Sequence, residues 1–440
     1  MKTDPEPSPA QQGRDDPLTG RRVLLLISGS IAAVKLPGVV SALIQRGAQV
    51  RCVLTPSAAA LVSPVALASL SRNPCHLDAD QWSHQAPRPL HIELAEWAQL
   101  VLLAPLSATS LGRWVHGLAD TLVASILLAT EAPVLAAPAM NTSMWDAHPV
   151  RGNWRQLLSW ERVLPVAPGS GLLACDRVGS GRMADPARLL LALESLAGWG
   201  WRRDWQGRRL LVTAGPTREP LDPARCLTNN STGWMGVMLA QAARLRGAEV
   251  SLIHGPLTVP TALLEDLSCQ RIDTAAELEA ELAQAQPGVD AIAMAAAVAD
   301  HRRSAPLATK LPKQALAVDL GGGWQAVPDL LTQLVARRQP GQVILGFAAH
   351  SGDVLSQARQ KFARKGCDLL FANPIDRPGV GFGSPTNEGW LLGPGQQERS
   401  LPKGTKLALA HQLLTALGRA TPIQVVERAA PFAKSGISHR

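Results

Sequence analysis

Two stretches of this chain repeat the same order of segments. Residues 21–30 (RRVLLLISGS) and 208–217 (RRLLVTAGPT) each read as a short apolar strand that runs into a glycine-containing loop. Each is followed by a helical segment ending in glycine and by a second strand, at 46–55 and 246–255. This order is typical of the strand, loop, helix, strand unit of nucleotide-binding α/β folds. Helices commonly end in glycine before a strand, but two copies in matching order favour two related domains.

Further apolar strands alternate with helical segments along both halves. Strands are predicted at 99–105, 133–140 and 162–168, with helices near 107–129 and 145–159, and again at 290–300, 342–350 and 368–373. Alternating apolar strands and helices predict parallel sheets that are covered on both faces. We therefore expect two Rossmann-like three-layer α/β domains with mostly parallel sheets.

The length of the chain also favours two domains, because 440 residues exceed what one hydrophobic core normally supports. The alternation stops at 198–207 (GWGWRRDWQG), so the predicted domains are 21–200 and 208–420. Residues 1–20 are polar and proline-rich, which predicts a disordered leader. Residues 421–440 lack periodicity, which predicts a tail.

Composition excludes several classes of protein. The formal net charge of +8 comes from scattered arginines rather than a basic block, so we expect small anionic substrates and no nucleic-acid partner. The six cysteines lie far apart without a CxxC pair, which disfavours a zinc ribbon or disulfide framework and predicts a reducing compartment. With no signal-peptide core and no run of about 18 apolar residues, we expect a cytoplasmic protein without a membrane partner.

Nine motifs, in family order between Arg21 and about Ala420, carry a family resemblance. The chain resembles the bifunctional proteins of coenzyme A biosynthesis, in which phosphopantothenoylcysteine decarboxylase is fused to phosphopantothenate-cysteine ligase. The motifs are SGSIAAVK (28–35), HIELAEWAQLVLLAP (91–105), APAMNTSMW (137–145), ACDRVGSGRM (174–183), TAGPTREPLDPARCLTNNSTGWMG (213–236), AAAVAD (295–300), KLPK (310–313), GFAAH (346–350) and the Lys361/Lys365 segment. The resemblance implies a flavodoxin-like flavoprotein domain followed by a ligase domain.

The first half is expected to bind FMN and to decarboxylate 4'-phosphopantothenoylcysteine to 4'-phosphopantetheine. The loop after the first strand offers hydroxyl and backbone N–H donors to the FMN phosphate, and a second set of donors follows the next strand. SGSIAA lacks the GxGxxG pattern, which disfavours an NAD enzyme. The predicted FMN-binding residues are Ser28, Gly29, Ser30, Thr55 and Ser57.

Three side chains are matched to the decarboxylation itself. His91 is the expected base, since its ordinary pKa suits proton transfer near neutrality, although a lone histidine is also a common surface residue. Asn141 is expected to orient the substrate carboxylate, or to cap the helix that follows it. Cys175 is expected on a glycine-hinged flap that delivers a proton, with Arg182 and Met183 binding substrate; the simpler alternative is a thiol in a surface loop.

The second half is expected to condense 4'-phosphopantothenate with cysteine through an acyl-cytidylate formed from CTP, with Mg²⁺ accompanying the triphosphate. Arg225, Asn229 and Lys310 match the residues expected to handle the acyl phosphate and the charge that develops on CTP. Asp300, Phe347, Lys361 and Lys365, together with Lys310, match nucleotide-contacting positions. The family pattern is interrupted at Trp234, Pro312, His350 and Pro385, where family members usually carry charged side chains.

The resemblance leaves alternative functions. A decarboxylase with a degenerate ligase module that serves assembly or regulation is compatible with Trp234 and His350. A flavin-binding regulatory protein is disfavoured by the joint presence of His91, Asn141 and Cys175. A homo-oligomer is implied by the family, with trimeric contacts in the flavin domain and dimeric contacts in the ligase domain.

Overall fold

The computed structural model describes residues 16–82, 88–172, 178–310, 312–313 and 322–421 of the chain. Two α/β domains follow one another along it, each built on a sheet with helices on both faces. The predicted fold class is confirmed. Residues 1–15 and 422–440, most of the predicted leader and tail, lie outside the described residues, as does Cys175.

The first domain contains a six-stranded sheet whose pairings are all parallel, in the order β3-β2-β1-β4-β5-β6. Its strands are β1 (Arg22–Ile27), β2 (Gln49–Leu54), β3 (Cys75–Leu77), β4 (Leu100–Leu106), β5 (Val134–Pro138) and β6 (Val163–Pro165). Every residue of β4 is buried, as expected for a central strand covered on both faces. A β-hairpin, β7 (Gly169–Leu172) and β8 (Val178–Arg182), follows the sheet.

Six of the helices described in the first domain begin at a side-chain N-cap. Thr55, Ser63, Ser107, Thr121, Asn141 and Asp185 each accept a hydrogen bond from a backbone N–H of the helix they precede, which satisfies a donor that the helix leaves open. The helices are α1 (Leu36–Gln45), α2 (Pro56–Ala59), α3 (Pro64–Ser71), α4 (Leu90–Trp97), α5 (Ala108–Val115), α6 (Leu122–Ala129), α7 (Thr142–Asp146), α8 (His148–Leu158) and α9 (Pro186–Trp199), with 3₁₀ turns at Ile31–Lys35 and Asp78–Asp80.

The second domain contains an eight-stranded sheet in the order β13-β12-β9-β14-β17-β18-β19-β20. Its strands are β9 (Arg209–Ala214), β12 (Glu249–His254), β13 (Ser268–Arg271), β14 (Ala291–Met294), β17 (Val343–His350), β18 (Leu369–Pro374), β19 (Thr386–Gly393) and β20 (Gln397–Thr405). The pairings are parallel as far as β18, and β19 and β20 then add an antiparallel edge. Two further antiparallel pairs are β10 (Arg218–Asp222) with β11 (Arg225–Thr228), and β15 (His301–Arg303) with β16 (Trp324–Ala326).

The helices of the second domain are α10 (Trp234–Leu245), α11 (Ala275–Ala285), α12 (Leu330–Ala336), α13 (Val354–Lys365) and α14 (Lys406–Ala420), with 3₁₀ turns at Thr261–Leu264, Gln286–Gly288 and Pro394–Gln396. None of the helices in the described part of the chain is both long and apolar enough to cross a membrane. The five cysteines in these ranges are free thiols.

Helix α9 joins the two domains. It packs on α1, β4 and β5 of the first domain and on α10 and α14 of the second. Its leucines belong to one apolar cluster that contains side chains from both sheets. The buried guanidinium of Arg188 pairs with Glu265 at 2.6 Å and also with Asp266, and Arg46 pairs with Glu194 at 2.7 Å. Apolar contact and ion pairs therefore fix the two domains against each other.

Three predicted boundaries are wrong in detail. The helix expected near 107–129 is divided into α5 and α6, because Gly117 has a φ of +70°, which a continuing α-helix does not allow. The strand expected at 290–300 ends at Met294, and the residues after it form a loop. The predicted leader extends too far, since Leu18 is fully buried and Asp16 pairs with Arg46 at 2.7 Å.

Candidate active sites

The first candidate site lies where β1 and β4 end side by side. The order β3-β2-β1-β4 reverses direction there, which is where open parallel sheets bind ligands. The buried Ser28 hydroxyl donates to the Pro105 carbonyl oxygen at 2.6 Å and accepts from the Ser107 N–H at 2.8 Å. Ser28 therefore ties the two strand ends together, and its hydroxyl is committed to that structural role.

Gly29 is in close contact with the first turn of α2, the helix that follows β2. A Cβ atom at Gly29 would lie 2.4 Å from the Cβ of Ser57, so only glycine fits. Ser57 is exposed, and the Ser30 hydroxyl makes no capping hydrogen bond although it precedes a 3₁₀ turn. The Thr55 hydroxyl caps α2 by accepting from Ala58 N–H at 3.3 Å. The structure thus brings the predicted FMN residues together as a cluster of small, mostly hydroxyl-bearing residues where the loop after β1 contacts the start of α2.

His91 lies at the N-terminal end of α4. The helix that precedes a parallel strand runs antiparallel to it, so this end of α4 lies at the same sheet edge as Ser28. The His91 ring meets the exposed ring of Trp82 edge-on, with 5.9 Å between ring centroids. Its Nδ1 atom is buried and has no hydrogen-bond partner among the described residues. The ring therefore retains a nitrogen for a group outside the described chain.

Asn141 caps α7, as the simpler interpretation of its sequence predicts. Its Oδ1 accepts from the Met144 N–H at 2.8 Å, which leaves the amide nitrogen on an exposed side chain for a ligand. The β7–β8 hairpin is anchored beside it: the Met140 N–H donates to the Gly181 carbonyl oxygen at 2.9 Å, and the Thr142 hydroxyl donates to that of Ser180 at 2.8 Å. The structure thus brings Asn141 next to the base of the predicted flap.

The other flap residues differ in their surroundings. Arg182 is exposed at the end of β8. Met183 is only 2% exposed and its side chain lies in the apolar core, so the structure gives that side chain a packing role. The tip of the hairpin, with Cys175, lies outside the described residues. The proton-delivering role of Cys175 stays a prediction.

The second candidate site is a cavity of about 540 Å³ at the carboxyl edge of the second sheet. It also begins where the strand order reverses, between β9 and β14, where the Ala297 N–H donates to the Gly215 carbonyl oxygen at 2.9 Å. Asn229 donates to Ala297 O at 3.1 Å and lines the cavity. The first turn of α10 forms another part of the wall, from Gly233 to Gly236. Its free backbone N–H groups make that end favourable for phosphate.

Three lysines line the opposite part of this cavity. Lys365 forms an ion pair with Asp329, which lowers the pKa of that carboxyl despite its partial burial. Lys361 donates to the Phe347 carbonyl oxygen at 3.0 Å, and burial, followed by the charge of Lys365, lowers the pKa of its ammonium group. The third is Lys406, the first residue of α14. These charges make the cavity suited to an anionic ligand.

The predicted residues of the second half divide into two groups. Asn229, Asp300, Phe347, Lys361 and Lys365 all line the cavity. Arg225 lies in the β10–β11 hairpin, 3.7 Å from a buried carboxylate oxygen of Asp222, and Lys310 is exposed; neither lines the cavity in this chain. Trp234, which interrupts the family pattern, lines the cavity. His350 interrupts the pattern as well, and burial, followed by the charge of Lys361, lowers the pKa of its imidazole.

Sequence reasoning missed several residues of the cavity wall. They are polar or aromatic side chains that no quoted motif contains: Asp329, Asn373, Phe382, Asn387 and Lys406. Asp329 carried a local signal, since its carboxylate caps α12 by accepting from the Thr332 N–H at 3.2 Å. Asn373 ends the strand predicted at 368–373. The other three come from the β18–β19 connection, β19 and α14, for which no element was predicted.

Comparison with known proteins agrees with this division into two sites. A family model described as Flavoprotein matches residues 12–197, and one described as the DNA/pantothenate metabolism flavoprotein C-terminal domain matches residues 205–420. The coenzyme A biosynthesis bifunctional protein of Bacillus subtilis is 36% identical over 402 residues, which cover 90% of this chain and 96% of that protein. That of Escherichia coli K12 is 39% identical over 373 residues, which cover 84% and 90%.

The chain belongs to the family of coenzyme A biosynthesis bifunctional proteins. It is a flavoprotein with a phosphopantothenoylcysteine decarboxylase activity and a phosphopantothenate-cysteine ligase activity, which confirms the prediction. The family match extends over both domains.

Solved structures with related sequences cover one half of the chain each. The C-terminal domain of a coenzyme A biosynthesis bifunctional protein has a TM-score of 0.40 and 27% identity, covering 49% of this chain and 97% of that one. A PPC decarboxylase mutant complexed with pantothenoylaminoethenethiol has a TM-score of 0.36 and 32% identity, covering 40% and 96%.

Proposed function

We propose that the second domain joins 4'-phosphopantothenate to cysteine with CTP as co-substrate, and that the first domain decarboxylates the product to 4'-phosphopantetheine with bound FMN. The observation that carries the ligase proposal is the single cavity in which the N-terminus of α10 and the lysines of α13 converge. Such a cavity suits substrates that carry several negative charges.

The ligation needs a leaving group on an unreactive carboxylate. An oxygen of the substrate carboxylate attacks the α-phosphorus of CTP, which forms an acyl-cytidylate and releases pyrophosphate. The amine of cysteine then attacks the acyl carbon, and CMP leaves. Lys361 and Lys365 would neutralise the approaching anions, while Asn229 orients the acyl phosphate.

The ligase proposal extends to two cations that lie outside the cavity wall. Arg225, half-buried in the β10–β11 hairpin, is proposed to handle the acyl phosphate, and the exposed Lys310 is proposed to neutralise the charge that develops on CTP. Mg²⁺ is proposed to enter with the triphosphate. No cluster of three His, Cys, Asp or Glu side chains in the described ranges could hold a metal, and Mg²⁺ is usually held by one or two carboxylates plus substrate phosphates. The exposed carboxylate of Asp300 on the cavity wall fits that role.

The first-domain cluster fits a mononucleotide phosphate. Ser30 carries a hydroxyl donor on the loop after β1, Ser57 carries one in the first turn of α2, which contacts that loop at Gly29, and Thr55 caps the same helix. The Ser28 hydroxyl is already committed to β4, so it contributes rigidity rather than a donor to the ligand. When bound, FMN would temporarily accept two electrons from the carbon that bears the thiol, and this oxidation makes the loss of CO₂ feasible.

The side chains at this edge then have separate tasks. His91, with its unpartnered Nδ1, is proposed to hold the proton of the substrate thiol. The amide nitrogen of Asn141 is proposed to donate to the departing carboxylate, which orients it without adding charge. Cys175 is proposed to deliver the last proton, and the glycines at the base of the hairpin allow it to close.

Two measurements on the purified chain test this function. A visible spectrum is expected to show bound flavin, and incubation with CTP, Mg²⁺, 4'-phosphopantothenate and cysteine is expected to release CMP and then CO₂. Folded protein that is colourless and takes up no added FMN would contradict the decarboxylase mechanism. Flavin-loaded protein that releases no CMP would contradict the ligase mechanism.

We also propose a homo-oligomer, with trimeric contacts in the first domain and dimeric contacts in the second. Ile31 and Val34 follow the β1 loop with side chains 55% and 54% exposed, as expected of apolar residues that another copy would cover. Sedimentation analysis of the full chain tests this, and a monomer would contradict it. A cytoplasmic location remains a prediction.

A further inference from the structure

Lys406 places a buried positive charge in the wall of the second-domain cavity. Its side chain is 4% exposed, and its Nζ donates to the Gly381 carbonyl oxygen at 3.0 Å. Among the described residues no carboxylate forms an ion pair with it, and burial lowers its pKa to about 8. A buried ammonium group without an opposing charge is unfavourable, so the charge is not explained by packing.

Lys361, a half-buried residue of α13, makes a similar hydrogen bond. Its Nζ also donates to one backbone carbonyl oxygen, that of Phe347, at 3.0 Å. An ammonium group has three donors, and the described residues accept only one from each of these lysines. Lys365 differs, because Asp329 neutralises it. The charge of Asp329 also acts on Lys361 and raises its pKa against the effect of burial, so among the described residues Lys406 is the lysine of the cavity wall without a compensating carboxylate.

Lys406 and the N-terminus of α10 lie at different ends of the cavity. Gly381 belongs to the connection between β18 and β19, whereas the N-terminus of α10 lies beside β9 and β14. In the sheet order, β18 is three strands from β9, which corresponds to about 14 Å at the usual strand spacing. One end of the cavity thus offers helix N–H groups to an anion, and the other end offers Lys406.

We propose that Lys406 binds a phosphoryl oxygen of a ligase substrate at the β18–β19 end of the cavity. The inference rests on the proposed CTP-dependent ligation, in which both the nucleotide and the phosphorylated acid carry such oxygens. Lys406 thus adds a fourth lysine to Lys310, Lys361 and Lys365, and it comes from the last helix of the domain, outside the family motifs.

The competing explanation is that Lys406 only stabilises the connection between β18 and β19. Gly381 has a φ of +82°; its N–H donates to Asn387 Oδ1 at 3.2 Å, and its carbonyl oxygen accepts from Lys406. These two bonds fix the loop from which Phe382 reaches the cavity. Glutamine at 406 keeps a donor for Gly381 without the charge, and methionine keeps neither.

The test compares Lys406→Gln and Lys406→Met in the full chain. The KM values for CTP and for 4'-phosphopantothenate are measured separately by CMP release in the presence of Mg²⁺. Loss of a charge-assisted hydrogen bond is expected to raise one of the two KM values about 10- to 100-fold in both variants, and the affected substrate identifies the phosphate source. Decarboxylation by the same molecules is expected to be unchanged. The matched control is Lys403→Met, because Lys403 is an exposed lysine three residues earlier in the chain.

Three results would overturn the inference. A Lys406→Gln variant with wild-type KM values for both substrates would show that the donor to Gly381 is sufficient. A Lys406→Gln variant that loses decarboxylation together with ligation would show a structural role. Absence of CMP release by the unmodified chain would contradict the proposed function on which the inference rests.

Discussion

The hydroxyl oxygen of Ser195 lies 2.9 Å from Nε2 of His411, where α9 packs against α14. Both side chains are buried, and the His411 ring stacks on Trp199 with 5.2 Å between ring centroids. Burial, followed by the nearby charge of Arg246, lowers the pKa of His411 to about 3, while Asp204 opposes that shift. A neutral imidazole is therefore part of the contact between the domains.

This histidine predicts acid sensitivity. As pH falls through the ordinary value of 6.5, the unfolded chain binds a proton at His411, whereas the folded chain does not until about pH 3. The free energy of unfolding should therefore decrease by about 1.4 kcal/mol per pH unit across that window. Urea unfolding at pH 7 and pH 5 should show a loss about 2 kcal/mol smaller in His411→Gln than in the wild type. Equal losses in the two proteins would contradict the prediction.

Gly29→Ala should weaken flavin binding. The new Cβ atom would lie 2.4 Å from the Cβ of Ser57, and overpacking of this kind usually costs about 1–3 kcal/mol. We expect FMN affinity, followed by visible absorbance during titration, to fall about tenfold or more. Gly38→Ala, where a Cβ meets nothing within 4 Å, is the control and should keep its colour. Undiminished FMN affinity in Gly29→Ala would show that the β1 loop and the start of α2 can move apart without weakening FMN binding.

Gly181→Ala should impair the flap without releasing FMN. Gly181 has a φ of +109°, and its Cβ would lie 2.4 Å from the Met140 carbonyl oxygen, beside Asn141. The hairpin is then displaced from Asn141, so decarboxylation should fall about tenfold or more while ligation and flavin content stay constant. Gly117→Ala controls for the backbone strain, since Gly117 has a φ of +70° but open space around it. Similar decarboxylation by the two variants would exclude the anchoring role.

Glu194→Gln should loosen the contact between the domains. The carboxylate accepts from Arg46 at 2.7 Å and from the hydroxyl of Thr405, the residue that caps α14. Removing the charge of a mostly buried carboxylate should lower the free energy of unfolding by about 1–2 kcal/mol. The exposed pair of Arg88 with Glu96 is the matched control, and Glu96→Gln should cost about 0.5 kcal/mol or less. Equal effects of the two substitutions in urea unfolding would refute the prediction.

The central parallel strands of each sheet were predictable because they are short, continuous apolar runs, whereas the parallel edge strands β3 and β13 carry no such run and were missed. The antiparallel edge was not predictable either. Strand β20 (QERSLPKGT) is exposed over most of its length, so it has neither an apolar run nor a regular alternation. Its place in the sheet depends on pairing with β19, a contact that no local pattern reports.

The residues of the candidate sites were also predictable only where a local motif contains them. Gly29, Asn229 and Lys361 belong to motifs that chemistry and family resemblance both single out. Lys406 begins an ordinary amphipathic helix, where a lysine usually points to solvent. Its burial follows from the way α14 packs under the β18–β19 connection, which involves residues more than 20 positions away. Long-range packing of this kind leaves no trace in the composition of the segment.

Helix α9 precedes the second domain in sequence but shares its core. Its leucines lie in the same apolar cluster as Leu25 of β1 and Leu210 of β9. A separately made second half would expose to water the side of α14 that now packs on α9. Because α9 packs into the apolar core of both domains, either half alone would expose apolar side chains to water. A substitution that repacks α9 would therefore change the packing of both catalytic domains.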